Sequence, residues 1–205
     1  MNLKKLLFSM GLCPLIFLCS CAVVGHKFEM PSAEQLAFGQ LTPSEAISAF
    51  GKPQVKTDTV NTDGDFEVYK YTYAENGVGS VNARQMLLEF KGGKLNAYFF
   101  WSTFDKDKTK VDLAGVEKLK AGVGKLTKGD VLALAGNPNA KGLCPTVLVD
   151  LKDKCPKNTE VWGWLMTDNV NVWVPRKIKT SALYVSFDGE GKLSGVDAVS
   201  SNPDH

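Results

Sequence analysis

The stretch Gly39-Gln40-Leu41-Thr42-Pro43-Ser44-Glu45-Ala46-Ile47-Ser48-Ala49-Phe50-Gly51-Lys52-Pro53 has an ungapped counterpart in Gly124-Lys125-Leu126-Thr127-Lys128-Gly129-Asp130-Val131-Leu132-Ala133-Leu134-Ala135-Gly136-Asn137-Pro138. Gly, Leu, Thr, Gly and Pro recur in register, and each copy spells a short helix with both ends marked. Thr42 and Thr127 can accept from backbone N–H groups of the first turn. Glu45 and Asp130 stand three residues on, as a capping box requires of Glu45 and as Asp130 approximates. Pro43 suits the first helical position. Gly51 and Gly136 can take the left-handed cap conformation, and Pro53 and Pro138 block continuation. Between the marks, Ala46, Ile47, Ala49 and Phe50 match Val131, Leu132, Leu134 and Ala135. This apolar stripe must be buried on something, and a sheet is the expected partner.

Period-two segments follow each helix. In the first half they read as strands at Val55 to Val60, Phe66 to Tyr73, Gln85 to Lys91 and Lys94 to Phe100, with Asp63-Gly64 and Gly92-Gly93 as hairpin turns. In the second half they read as Thr146 to Leu151, Thr159 to Thr167, Ser181 to Phe187 and Lys192 to Val199, with Asp188-Gly189-Glu190-Gly191 as the last turn. Glu67-Val68-Tyr69-Lys70-Tyr71 aligns with Glu160-Val161-Trp162-Gly163-Trp164. Shorter helical turns are expected around Ser32 to Phe38 and Leu113 to Ala121, and Asp105-Lys106-Asp107-Lys108-Thr109-Lys110 reads as a solvated linker. The fold class is therefore α+β, with two tandem repeats. Each places one or two short helices on an antiparallel β-meander of three to four strands.

The N-terminus carries a different signal. Lys4 and Lys5 precede an apolar run, Leu6 to Leu18, that is too short to span a bilayer and is interrupted by Pro14. Leu18-Cys19-Ser20-Cys21 then resembles the bacterial lipoprotein signal, with Leu three places before the acylated cysteine and a small residue just before it. That resemblance implies cleavage before Cys21 and attachment of at least two fatty acyl chains such as palmitate, enough for stable anchoring. Ala22 in place of Asp implies sorting to the outer membrane by the enterobacterial rule. The chain divides into a signal peptide at 1–20, a lipidated tether at 21–31, a first unit at 32–104 and a linker at 105–112. A second unit with an insert at 113–200 and a tail at 201–205 follow.

Removing residues 1–20 takes away Lys4 and Lys5 and leaves 22 basic against 22 acidic residues, so no electrostatic footprint for nucleic acid remains. Cys13 and Cys19 leave with the signal and Cys21 is the acylation site. Cys144 and Cys155 are left as the pair that most simply forms one disulfide in an oxidising compartment. Closing that short loop contributes about 3 kcal/mol in the chain-entropy account.

A helix with Gly-x-Leu-Thr at its start and Gly-x-Pro at its end, followed by a meander with an aromatic-x-aromatic strand, resembles the BamE/OmlA (SmpA) lipoprotein family. Two such units in tandem also look like the β-lactamase inhibitor protein fold. The resemblance covers nearly all of the mature chain. It implies a non-catalytic protein-binding module held at the outer membrane, facing the periplasm and serving outer-membrane protein assembly or envelope maintenance. The alternative it implies is an inhibitor of a periplasmic or secreted enzyme such as a β-lactamase-like hydrolase. The chain departs from both patterns, having two units where the assembly subunit has one and a single disulfide where the secreted inhibitor has two.

Alternation puts Tyr69, Tyr71 and Tyr73 on one strand face, with Trp162, Trp164 and Met166 on the equivalent face of the second half. If the helices cover the opposite face, where Val68, Val161 and Leu165 lie, this row is open and can anchor a protein partner, with Trp101 and Trp173 at its rim or junction. If not, the row is core. The segment Lys141 to Asn158 reads either as a presented loop or as a long hairpin stapled for want of core contacts. Pro175-Arg176-Lys177-Ile178-Lys179 is a basic turn. No catalytic constellation emerges: the histidines are His26 and His205, near the two ends. Gly122-Val123-Gly124-Lys125-Leu126 lacks the Ser or Thr of a phosphate loop. No metal or cofactor is expected.

Overall fold

The structure, a computed structural model, describes residues 23–61, 64–77, 80–107, 109, 111–146, 148, 156–167 and 180–201. Strands β1 (Val23–Val24), β2 (Val55–Asn61), β3 (Gly64–Gly77), β4 (Ser80–Lys91), β5 (Lys94–Ser102), β6 (Ala140–Leu143), β7 (Glu160–Thr167), β8 (Thr180–Phe187) and β9 (Leu193–Ser201) form one antiparallel sheet. Helices α1 (Pro43–Phe50), α2 (Leu113–Ala121) and α3 (Lys128–Ala135) pack on one face of it. The strand order is β1-β3-β4-β5-β6-β7-β8-β9. β2 also pairs with β3, along the same side as β1.

The capping boxes form as read, while Gly51 and Gly136 take positive φ, 80° and 73°, with ψ of −173° and −168°, an extended glycine geometry in place of the left-handed cap. Thr42 accepts from the Glu45 N–H, and the Glu45 carboxylate takes the Thr42 N–H at 2.8 Å. Thr127 and Asp130 repeat both bonds, again with 2.8 Å from the Thr127 N–H to Asp130. These bonds hold the Glu45 and Asp130 carboxyls below their ordinary pKa. A carboxyl depressed on folding contributes stability that is present above its unfolded pKa and lost as pH falls through the folded one. Thr127→Ala is expected to cost about 1 kcal/mol in a urea titration at neutral pH. That deficit shrinks in acid, once Asp130 is protonated in the parent as well.

Several backbone contacts recur at matched positions. The Gly39 N–H donates to Leu95 O at 2.9 Å and the Leu95 N–H to Leu41 O at 2.8 Å; the Gly124 N–H donates to Leu193 O at 2.7 Å and the Leu193 N–H to Leu126 O at 2.8 Å. Just past each helix an amide side chain locks onto the neighbouring strand. Gln54 Oε1 accepts from the Thr72 N–H at 2.8 Å and its Nε2 donates to Thr72 O at 3.1 Å; Asn139 does both to Leu165, each at 2.9 Å. Lys56 lies over the Tyr69 ring and Lys141 over the Trp162 ring. Gly92 and Gly93, with φ of 57° and 72°, close the β4–β5 hairpin with the doubly left-handed geometry that only a Gly-Gly or Asn-Gly type pair adopts easily.

The first strand after α3 is β6 at Ala140–Leu143, ahead of the expected Thr146 to Leu151, most of which lies outside the described residues. It starts immediately after Asn139, as β2 starts after Gln54, and its pairing to β5 (Ala97↔Gly142, Tyr98↔Lys141, Phe99↔Ala140) joins both halves into one sheet. Lys141 therefore belongs to the middle of the sheet and not to a presented loop. Gly64 opens β3 and is not a turn residue, the turn itself lying outside the described residues. Ile47, expected in the buried stripe, is exposed; Ala46 faces the core alone, with Phe50 packed at its edge. The short helical turn expected around Ser32 to Phe38 is present as one turn, closed by Leu36 N–H to Ser32 O.

The expected linker and tether are structured as well. Asp105–Asp107 is a 3-10 turn whose Asp107 carboxylate is paired with the fully buried Arg84. Residues 23–31 are docked on the first half: β1 pairs with β3, and Phe28 and Met30 pack on its core. Residues 1–22, with Cys21, lie outside the described residues.

Candidate functional site

The side chains of the sheet fall into two sets. The helix-covered set contains Tyr69, Tyr71, Met86, Leu88, Phe90, Tyr98 and Phe100 in one cluster, and Trp162, Trp164, Leu183, Val185 and Phe187 in the other. The candidate aromatic row is thus core and not docking surface. Tyr69, Tyr71, Tyr73, Trp162 and Trp164 are 3%, 2%, 3%, 3% and 0% exposed. The physical reason is that α1, α2 and α3 close over the face on which Tyr69, Tyr71, Trp162 and Trp164 stand, while Tyr73, on the same face, stacks against Phe104. Rings of 150–250 Å² give more there than at a wetted surface. Trp173 and the side chain of Met166 lie outside the described residues, as does the basic turn at 175–179.

The tyrosines report this burial chemically. Burial pushes the Tyr71 and Tyr98 hydroxyls up to about 12. Burial, with a bond to Glu67, raises Tyr69; the bond to Glu75, with burial, raises Tyr73; burial raises Tyr184. These are all five tyrosines of the chain. Absorbance titration at 295 nm is therefore expected to show no tyrosine ionising at the ordinary value near 10. A hydroxyl whose pKa is raised on folding stabilises the fold below its unfolded pKa, and that stability is lost as pH climbs from about 10 toward about 12. A free-tyrosine curve in the folded protein would refute the buried row.

The opposite face carries no helix among the described residues. On it stand Val68, Lys70 and Thr72 of β3, Gln85, Leu87 and Glu89 of β4, Ala97, Phe99 and Trp101 of β5, Val161 and Leu165 of β7 and Tyr184 and Ser186 of β8. Leu87, Phe99, Trp101, Leu165 and Tyr184 are half-buried there. The middle of this face is filled by a polar cluster. The fully buried Glu89 carboxylate accepts from Asn96 Nδ2 at 2.5 Å and from Thr146 Oγ1 at 2.8 Å. Asn96 Nδ2 also donates to Leu143 O at 3.1 Å. These bonds lay the segment after β6 across β4 and β5. Cys144 is disulfide-bonded, and its expected partner Cys155 lies outside the described residues.

Beyond that segment the same face opens into a cavity of about 520 Å³. Its walls are Pro156 and Thr159 on one side and Tyr184, Ser186, Ser194, Gly195 and Asp197 on the other. Ser194 Oγ donates to Ser186 Oγ at 3.0 Å. A Cβ at Gly195 would stand 2.7 Å from Ser186 Oγ, so the glycine lets β9 lie close under this wall. Sequence reading missed this surface because its residues alternate with the aromatic row, and the larger rings drew the assignment to the other face. The signal available was Leu87, Phe99, Trp101 and Leu165, four large apolar side chains at positions of the opposite parity.

Among the described residues no group of three or more His, Cys, Asp and Glu side chains could hold a metal ion, and no helix is long and apolar enough to cross a membrane. The fold and this surface define a mixed α/β protein in which three helices back one large antiparallel sheet. No protein-family model matches the chain, and no curated protein matches it. The chain is similar to a solved structure of a "putative beta-lactamase inhibitor protein" from Streptococcus mutans, with a TM-score of 0.45 and 11% identity, over 77% of this chain and 82% of that one.

Proposed function

We propose that this protein is a non-catalytic protein-binding module, anchored through acylated Cys21 to the outer membrane, facing the periplasm and serving envelope assembly or maintenance. The observation that carries the binding reading is the face that bears no helix among the described residues, where half-buried Leu87, Phe99, Trp101, Leu165 and Tyr184 run toward the 520 Å³ cavity. Apolar side chains ringed by polar ones, on a rigid sheet, are the surface on which a protein partner gains energy without a reaction centre. Part of the proposal is that the two halves are copies of one unit. The duplicated capping boxes, the Gly39/Leu95 and Gly124/Leu193 bond pairs, the Gln54 and Asn139 amide locks and the Lys56/Tyr69 and Lys141/Trp162 stacks support it. Chance does not readily reproduce four unrelated contact types in one order.

A photo-crosslinking amino acid at Leu87 in intact cells tests the face. A discrete partner is expected, absent when the label sits at Ser48 on α1 and lost when Tyr184→Arg is added. Indiscriminate capture from both positions would defeat the reading. Inhibition of a lactamase or another periplasmic hydrolase by the purified chain would replace assembly by the inhibitor role. The anchor is tested separately by Cys21→Ser, which should shift the protein from the membrane to the soluble fraction; unchanged fractionation removes the anchor.

A further inference from the structure

The segment between the acylation site and the first unit is not a free leash. Val23 and Val24 pair antiparallel with Glu75 and Ala74 at the end of β3. Gly25, at φ +80°, passes so close to β3 that a Cβ there would lie 1.9 Å from Thr72 O. Arg84 Nη1 donates to Phe28 O, the Phe28 ring stands edge-on to Phe100 at 6.3 Å, and Glu29 pairs with Lys106. From Val23 onward the chain is therefore part of the fold. Because β1 runs antiparallel to β3, Val23 is the β1 residue nearer the β3–β4 hairpin end. Only Ala22 lies between Val23 and Cys21. At about 3.3–3.6 Å per residue, the Cα of Cys21 stands within about 7 Å of that of Val23.

We propose that the end of the sheet formed by Val23–Val24, Glu75–Asn76 and Val81–Asn82 is the membrane-facing end of the molecule, seated on the lipid headgroup layer with its strands directed away from the bilayer. The inference builds on acylation of Cys21, since it is the acyl chains that bring this end to the lipid. Its chemistry fits a neutral lipid surface. Val23 and Val24 expose apolar side chains at 57% and 59%, and Glu75, the one charged residue among these six, has its carboxylate bonded to the Tyr73 hydroxyl. Contact there depends on the anchor and not on attraction to anionic headgroups, so it is insensitive to salt. The opposite end carries the Gly92-Gly93 turn, the turn at 188–191 and the cavity, which places the cavity on the side open to a periplasmic partner.

The test uses the full lipidated chain in phosphatidylcholine vesicles containing a lipid with a nitroxide on its headgroup. A fluorescent amino acid is placed at Asn76 or Asn82, or at Glu190 near the far end. Quenching is expected to be several-fold stronger at Asn76 and Asn82 than at Glu190, and unchanged by salt. A ten-residue Gly-Ser insertion between Ala22 and Val23, or Gly25→Val, should level the three positions while the protein stays on the vesicles. Equal quenching at Asn76 and Glu190 in the native-length, vesicle-bound protein overturns the orientation and leaves the anchor intact. A chain that fails to sediment with vesicles, with Cys21 and with Ser alike at that position, overturns both.

Discussion

Trp164→Ala is expected to lower the unfolding free energy by about 3–5 kcal/mol, the range for emptying a buried aromatic site. The Trp164 ring is fully buried. It meets Trp162 edge-on at 6.4 Å, and its indole N–H donates to Gly136 O at 3.3 Å, the carbonyl that ends α3. The substitution thus removes packing under α3, one indole bond and a tie between helix and sheet together. Trp164→Phe keeps most of the packing and loses the bond, so about 1–2 kcal/mol is expected. Urea unfolding followed by far-UV circular dichroism reads both. Were this ring a docking residue at the surface, Trp164→Ala would leave stability within about 0.5 kcal/mol and abolish partner capture instead.

Asp107→Ala is expected to cost a similar amount for an electrostatic reason. Arg84 is fully buried under the N-terminal segment, with Nε donating to Asp107 Oδ2 at 2.6 Å and its guanidinium 4.1 Å from the Phe104 ring centre. Arg84 Nη2 has no hydrogen-bond partner among the described residues. Removing Asp107 leaves a buried guanidinium without its countercharge, and breaking such a pair from one side costs about 3–5 kcal/mol. The double variant Arg84→Met, Asp107→Ala removes the charge too and is expected to recover most of that loss, because an ion pair replaced by apolar groups is close to neutral. A double variant as unstable as Asp107→Ala would mean that the loss comes from packing around Arg84 and not from the stranded charge.

Both predictions concern residues whose roles local reading assigned elsewhere. Asp107 sits in a run of alternating Asp and Lys that resembles a wet linker by every local criterion; only the approach of β4 turns its carboxylate inward against Arg84. Trp164 belongs to an alternating strand, and alternation establishes that two faces exist without saying which one the helices cover. Here both faces carry large apolar side chains, Tyr69, Tyr71 and Trp164 on one and Leu87, Phe99 and Trp101 on the other, so composition could not decide between them. Because the helices cover the face of Tyr69, Tyr71 and Trp164, the candidate surface is the opposite one.

Whatever is enforced within a few residues was legible before any tertiary contact was known. Both capping boxes, the Gly51 and Gly136 helix ends, the Gly92-Gly93 turn and the strands flanking them are specified by φ preferences and by bonds between residues three or four apart. The tertiary structure alone decided that β6 slots against β5 to make one sheet, that Glu89 and Asn96 hold the following segment across it, and that residues 23–31 are seated on β3. Those outcomes depend on pairings across tens of residues, whose free energy comes from surfaces buried together, and no local preference carries that information.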